Sequence, residues 1–168
     1  MKPVVSIIMG STSDWPVMEK AANFLNEMQI PFEINALSAH RTPDEVEKFA
    51  RNAEERGIEV IIAGAGMAAH LPGVIAAMTS LPVIGVPIKG SFDGLDALLA
   101  IVQMPPGIPV ATVAVNGAQN AGILALQIIA SGNSGMKNKV KRFKEGLKDK
   151  IVKANQSLDD KNFEYRVK

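Results

Sequence analysis

Short apolar runs rich in β-branched residues alternate along this chain with stretches whose apolar positions recur at helical spacing. Residues 4–9 read as a strand buried on both faces. Residues 16–28 read as a helix, with Pro16 in its first turn and Val17, Met18, Ala21, Ala22, Leu25 and Met28 on one side. A second strand is expected over 32–37 and a second helix over 43–56. That helix carries its own start and stop signals. Thr42 stands at the N-cap, Pro43 at N1 and Glu45 at N3, which completes a capping box, and Gly57 follows the last turn. Strands at 60–63, 83–86 and 110–115 then alternate with helices at 71–79, 95–103 and 118–130.

This alternation implies a parallel sheet with right-handed crossovers. The simplest arrangement is a flavodoxin-like, three-layer αβα fold with a doubly wound parallel sheet. No repeat or second domain is visible, so residues 1–157 are expected to form one domain that includes an extra C-terminal helix. That helix, over 136–154, has a narrow apolar stripe of Met136, Val140, Phe143, Leu147, Ile151 and Ala154 among many lysines. The pattern suits a surface helix docking one edge on the body or on a neighbouring subunit. A nucleic-acid arm is disfavoured, because aromatic residues for stacking bases are missing. Residues 158–168 read as a flexible tail.

Composition narrows the possible chemistry. Hydrophobic residues make up 47% of the 168, more than a small domain readily buries alone, which suggests contacts between copies of the chain. The formal net charge of +1 gives no field favouring nucleic acid or an acidic membrane. With no cysteine, disulfides, thiolate catalysis and Cys-ligated metal sites are excluded. The N-terminal apolar run is too short for a secretory signal, and glycine and proline interrupt every stretch that approaches membrane-spanning length. A cytoplasmic protein is expected.

In a parallel α/β sheet, ligands bind beyond the carboxyl ends of the strands. Both histidines of the chain, His40 and His70, fall in such segments. Gly10-Ser11-Thr12-Ser13-Asp14 is a hydroxyl-rich turn feeding a helix N-terminus. It suits an anion held by backbone N–H groups, Ser11 and Ser13, or equally an ordinary cap with Ser13 or Asp14 as the capping residue. Asp14 suits ribose hydroxyls better than a phosphate, because like charges repel. His40 is a candidate general acid/base, or else a ring that caps a turn. Arg41 offers a guanidinium fork for a phosphate, or is a plain surface arginine. Gly64-Ala65-Gly66-Met67-Ala68-Ala69 spells a dinucleotide fingerprint. However, Pro72 is expected to interrupt the helix near its start, and no acidic residue closes the next strand. The glycines are instead read as close backbone approach to a flat ligand, with His70 at its rim or capping the next helix. Lys89 reads as an exposed lysine. The proline-rich run over 101–110 suits a subunit interface.

Taken in order, Gly10-Ser11-x-Ser13-Asp14-Trp15, Ser38-Ala39-His40-Arg41-Thr42-Pro43 and Gly64-Ala65-Gly66-x-Ala68-Ala69-His70-Leu71-Pro72-Gly73 resemble the class I N5-carboxyaminoimidazole ribonucleotide mutases of purine synthesis. Asp96-Ala97-Leu98-Leu99, Ile101-Val102-Gln103-Met104-Pro105 and Pro109-Val110-Ala111-Thr112 extend the match, which runs from Val4 to about Ala130. The resemblance implies transfer of a carboxylate from N5 to C4 of the imidazole, by decarboxylation and recarboxylation, with no metal or organic cofactor. It also implies a 5′-phosphorylated ribonucleotide substrate and a homo-octamer. By motif, His40 takes the C4 proton, while Ser11, Ser13 and Arg41 hold the phosphate. Asp14 takes the ribose hydroxyls, and Ser38, Gly66 and His70 line the imidazole and carboxylate pocket. Met67 stands where a further glycine is common, and the loop over 89–94 and the segment 115–120 depart from the usual pattern.

Two alternatives accompany this reading. One is the class II enzyme, which carboxylates the unmodified ribonucleotide with CO2. Arg41-Thr42-Pro43 and His70-Leu71-Pro72-Gly73 favour class I. The other is a non-catalytic flavin or nucleotide module on the same fold, against which the aromatic content of 5% argues.

Overall fold

The computed structural model describes residues 1–167. Lys168, the last residue of the expected tail, lies outside them. Five parallel strands form one sheet in the order β2-β1-β3-β4-β5, from β1 (Val5–Met9), β2 (Phe32–Ala36), β3 (Val60–Gly66), β4 (Val83–Ile88) and β5 (Ala111–Thr112). This is the flavodoxin-like order, and the topological switch lies between β1 and β3.

The central strands β1, β3 and β4 are buried on both faces because helices cover both. Val5, Ile7, Val60, Ile62, Ile84 and Val86 pack with α1 (Trp15–Glu27) and α5 (Ala118–Ala130) on one side. Ile8, Ile61, Ala63 and Val83 pack with α2 (Pro43–Arg51), α3 (Leu71–Ala76) and α4 (Leu95–Val102) on the other. The period-two alternation of side chains thus feeds two separate cores. Gly64 lies under α1, where an added Cβ would collide with Met18 Sδ. Ser6 is the one fully buried polar side chain among the described residues, and its hydroxyl donates to Glu33 Oε1 at 3.0 Å. Arg56 Nη2 also donates to that oxygen, at 3.0 Å.

The C-terminal helix α6 (Ser134–Gln156) starts earlier than its apolar stripe, because Asn133 Oδ1 accepts from the Met136 N–H at 3.1 Å. Met136, Val140 and Phe143 dock on the α1/α5 side, and the Phe143 ring meets Phe24 edge-on with centroids 5.1 Å apart. Lys139 Nζ donates to the Met28 carbonyl at the end of α1, at 2.7 Å. Leu147 and Ile151, further along the stripe, are exposed. Among the described residues, no helix is long and apolar enough to cross a membrane.

Several boundaries differ from expectation. Helix α2 ends at Arg51, and turns then carry the chain to Gly57, which takes φ +93°. Helix α3 is only six residues long. Strand β5, at the edge of the sheet, pairs at only two residues, Ala111 and Thr112. The expected extension is held by single bonds, from Val113 N–H to Gly85 O and from Asn116 N–H to Pro87 O.

Candidate active site

The loops after β1, β2 and β3 meet at the switch point. Strand order makes this possible: β1 lies between β2 and β3, so the segments carrying His40 and His70 flank the Gly10 turn. After β1, Thr12–Asp14 form a single 3₁₀ turn whose N-cap is Ser11, in extended conformation. Ser11 Oγ accepts from the Ser13 N–H at 3.3 Å and from the Ser13 hydroxyl at 3.0 Å. Asp14 precedes α1 but makes no side-chain cap bond. Its carboxyl is half-buried, and loss of water raises its pKa above 3.8, opposed by a Ser11 backbone hydrogen bond and by the Arg41 charge. Ser11 therefore caps the turn, and Asp14 is left available to a ligand.

After β2, a knot of hydrogen bonds shapes the His40 loop. The Ser38 N–H donates to Thr42 Oγ1 at 2.9 Å, and the Ser38 carbonyl accepts from the Thr42 N–H at 2.8 Å and hydroxyl at 3.1 Å. The expected capping box is therefore wrong. Thr42 makes no side-chain cap bond to α2, because its hydroxyl is committed to Ser38 four residues earlier. Ser38 Oγ accepts from the Arg41 N–H at 3.3 Å and Nε–H at 3.4 Å. Arg41 Nη2 donates to the Gly10 carbonyl at 3.1 Å. The guanidinium thus joins two of the three loops, and its Nη1 has no protein acceptor among the described residues.

After β3, Gly66 closes the strand, and an added Cβ there would stand 3.2 Å from the Ile88 carbonyl. The close approach that glycine permits here is thus to β4. Met67 adopts φ +56°, the left-handed conformation that glycine tolerates best. The expectation that Pro72 interrupts the helix is also corrected. Pro72 lies within the first turn of α3, where its missing N–H costs nothing. The helix begins at Leu71, five residues beyond Gly66, so the short strand-to-helix turn of a dinucleotide site is absent. His70 immediately precedes α3, and its Nδ1 lies 2.8 Å from His40 Nε2. The two rings are nearly perpendicular, with centroids 5.0 Å apart.

His40, Arg41, Ser13 and His70 are exposed, so on one chain the site is an open shelf. A separate concavity of about 470 Å³ is lined by Met28, Lys139 and Phe143. Beside the shelf, the loop from Lys89 to Gly94 carries an ion pair from Lys89 to Asp93 at 2.8 Å. Phe92 and Asp93 take φ +45° and +54° there. Asn116 Oδ1 accepts from the Lys89 N–H at 2.9 Å and pins the start of this loop. Neither Thr42 nor Asn116 stood out in the sequence as shaping the site. An asparagine beside glycine, at a strand end, is the signal that points to the left-handed φ of +57° it adopts. Among the described residues, no three His, Asp or Glu side chains converge to hold a metal ion.

The shelf on this flavodoxin-like sheet brings together side chains able to exchange a proton, His40 and His70, and side chains able to pair with an anion, Arg41 and Ser13. A family model described as AIR carboxylase matches residues 4–150, and the chain belongs to that family. It is 56% identical to the N5-carboxyaminoimidazole ribonucleotide mutase of Pyrococcus horikoshii, over 97% of this chain and 93% of that protein. It is 58% identical to the N5-carboxyaminoimidazole ribonucleotide mutase of Thermotoga maritima, over 94% of this chain and 92% of that one. The crystal structure of Treponema denticola PurE superposes with a TM-score of 0.83 at 31% identity, covering 93% of this chain and 98% of that one.

Proposed function

We propose that this chain catalyses the N5-carboxyaminoimidazole ribonucleotide mutase reaction of purine biosynthesis, moving the carboxylate from N5 to C4. The observation that carries this reading is identity above one half to mutases over nearly the whole chain. In the reaction, the N5–carboxylate bond breaks and N5 takes up a proton. The released CO2 then forms a bond to C4, which gives up its proton. The net reaction is an isomerisation, and one acid–base group can serve both steps. His40 is that group in this reading. Ser11, Ser13 and Arg41 hold the 5′-phosphate, Asp14 the ribose hydroxyls, and Ser38, Gly66 and His70 the imidazole and carboxylate.

A trapped CO2 needs a site closed to water. The open shelf of one chain supports a homo-oligomer, an octamer in this reading, in which other copies cover the rim; the purine-synthesis role is what places it in the cytoplasm in this reading. The exposed Leu95, Leu99 and Val102 of α4 supply apolar surface for such contacts. Residues 1–157 act as one domain in this reading, with 158–168 as an appended tail.

A paired assay tests the activity. The N5-carboxylated ribonucleotide is expected to be consumed with formation of the C4-carboxylated product. Efficient turnover of aminoimidazole ribonucleotide plus bicarbonate, with none of the N5-carboxylated compound, would instead establish the class II carboxylase.

A further inference from the structure

His40 and His70 touch through one ring nitrogen each, Nε2 and Nδ1, at 2.8 Å. Among the described residues, the other two nitrogens, Nδ1 of His40 and Nε2 of His70, have no protein partner. Backbone bonds fix His70 in place: its N–H donates to the Ala68 carbonyl at 2.7 Å, and its carbonyl accepts from the Val74 N–H at 3.0 Å.

A hydrogen bond between two imidazoles holds one proton, so one nitrogen donates and the other accepts. Two arrangements are therefore possible. If His70 Nδ1–H donates, an uncharged His40 accepts at Nε2 and carries its own hydrogen on Nδ1. It then has no free lone pair and is inert as a base. If His40 Nε2–H donates, its Nδ1 is open. It can bear a proton in the imidazolium and a lone pair in the imidazole, with no change at Nε2.

The proposed reaction needs a group that gives a proton to N5 and takes one from C4. Resting on that reading, we infer that His70 is a positioning residue for His40. It stays uncharged with its hydrogen on Nε2, and its Nδ1 accepts the His40 Nε2–H in both charge states of His40. His40 Nδ1 is then the atom that moves the proton. A fixed acceptor of this kind sets both the tautomer and the plane of the ring it holds.

The test is side-chain nitrogen NMR on the full chain labelled at histidine nitrogens, on the alkaline side of neutrality, with His40 assigned through H40N. The expected spectrum shows both rings protonated at Nε2 and bare at Nδ1. A hydrogen on His40 Nδ1 would overturn the inference. Kinetics supply the second arm. H70A removes the acceptor, and kcat is expected to fall roughly 10- to 100-fold with a smaller change in KM, the scale of losing a partner that orients a metal-bound histidine. H70N places an amide oxygen where Nδ1 stood and is expected to recover most of the loss. Equal losses in both variants, or a rise in KM alone, would make His70 a ligand contact only. The NMR arm needs no substrate. A wild-type chain without mutase turnover therefore refutes the proposed activity, and a reversed tautomer refutes the role of His70.

Discussion

Arg41 Nη2 donates to the Gly10 carbonyl at 3.1 Å and so ties the loop after β2 to the loop after β1. The parallel register sets this up, since Met9 pairs with Ala36 and brings both strands to an end together. One guanidinium thereby links the serine-rich turn to the loop that carries His40. Lysine has no planar fork and cannot bond Gly10 and Ser38 while facing a phosphate. R41K is expected to raise KM for the ribonucleotide by roughly tenfold, the scale of one lost hydrogen bond to a charged group. Steady-state kinetics with an unchanged KM would remove Arg41 from phosphate binding.

His40 is exposed and bonds only to His70 among the described residues, so replacing it should leave the fold intact. H40N is expected to keep its melting temperature and ligand affinity. Its kcat should fall by roughly 10²- to 10⁴-fold, the usual contribution of a general acid–base group. Near-normal turnover would refute the assignment.

Burial raises the Asp14 pKa above 3.8. A carboxyl whose pKa is higher folded than unfolded binds more protons in the folded state, so its contribution to stability falls as pH rises through that window. At neutral pH the Asp14 carboxylate is therefore a net cost to folding. D14N is expected to melt above wild type at neutral pH. The gain should shrink as acid protonates Asp14 in the wild type. The same variant should bind ribonucleotide more weakly. Thermal melts across a pH series check the sign, and a gain that grows toward acid would contradict it.

Met67 adopts φ +56° and is 62% exposed. Left-handed backbone costs a residue with a Cβ about 1–2 kcal/mol, whereas glycine pays roughly 0.5–1 kcal/mol in extra chain entropy. M67G is expected to gain up to about 1 kcal/mol in denaturant unfolding. M67V, β-branched at the same φ, should lose stability. A stable M67V would show that the loop relaxes out of the left-handed conformation.

Much of the fold was legible because buried parallel strands and amphipathic helices write different periods. Val5 to Met9 and Val60 to Ala63 are apolar at every position bar Ser6, and α1 carries its stripe from Met18 to Leu25. The misread cap came from competition between local bonds. Thr42 has the sequence of a cap, but Ser38 takes its hydroxyl. Met67 hides a left-handed residue because no glycine marks it. The candidate site residues could be read as belonging to strand ends, but their contacts could not. That His40 meets His70 depends on β1 lying between their strands, and strand order is a property of the whole sheet.

The central claim is that the carboxylate moves within one bound ligand. The direct measurement incubates the chain with ribonucleotide carrying ¹³C in the N5-carboxylate, in excess unlabelled bicarbonate, and reads the C4-carboxylate by NMR. The account predicts that the product keeps the ¹³C. Product carbon drawn from the unlabelled bicarbonate pool would contradict it.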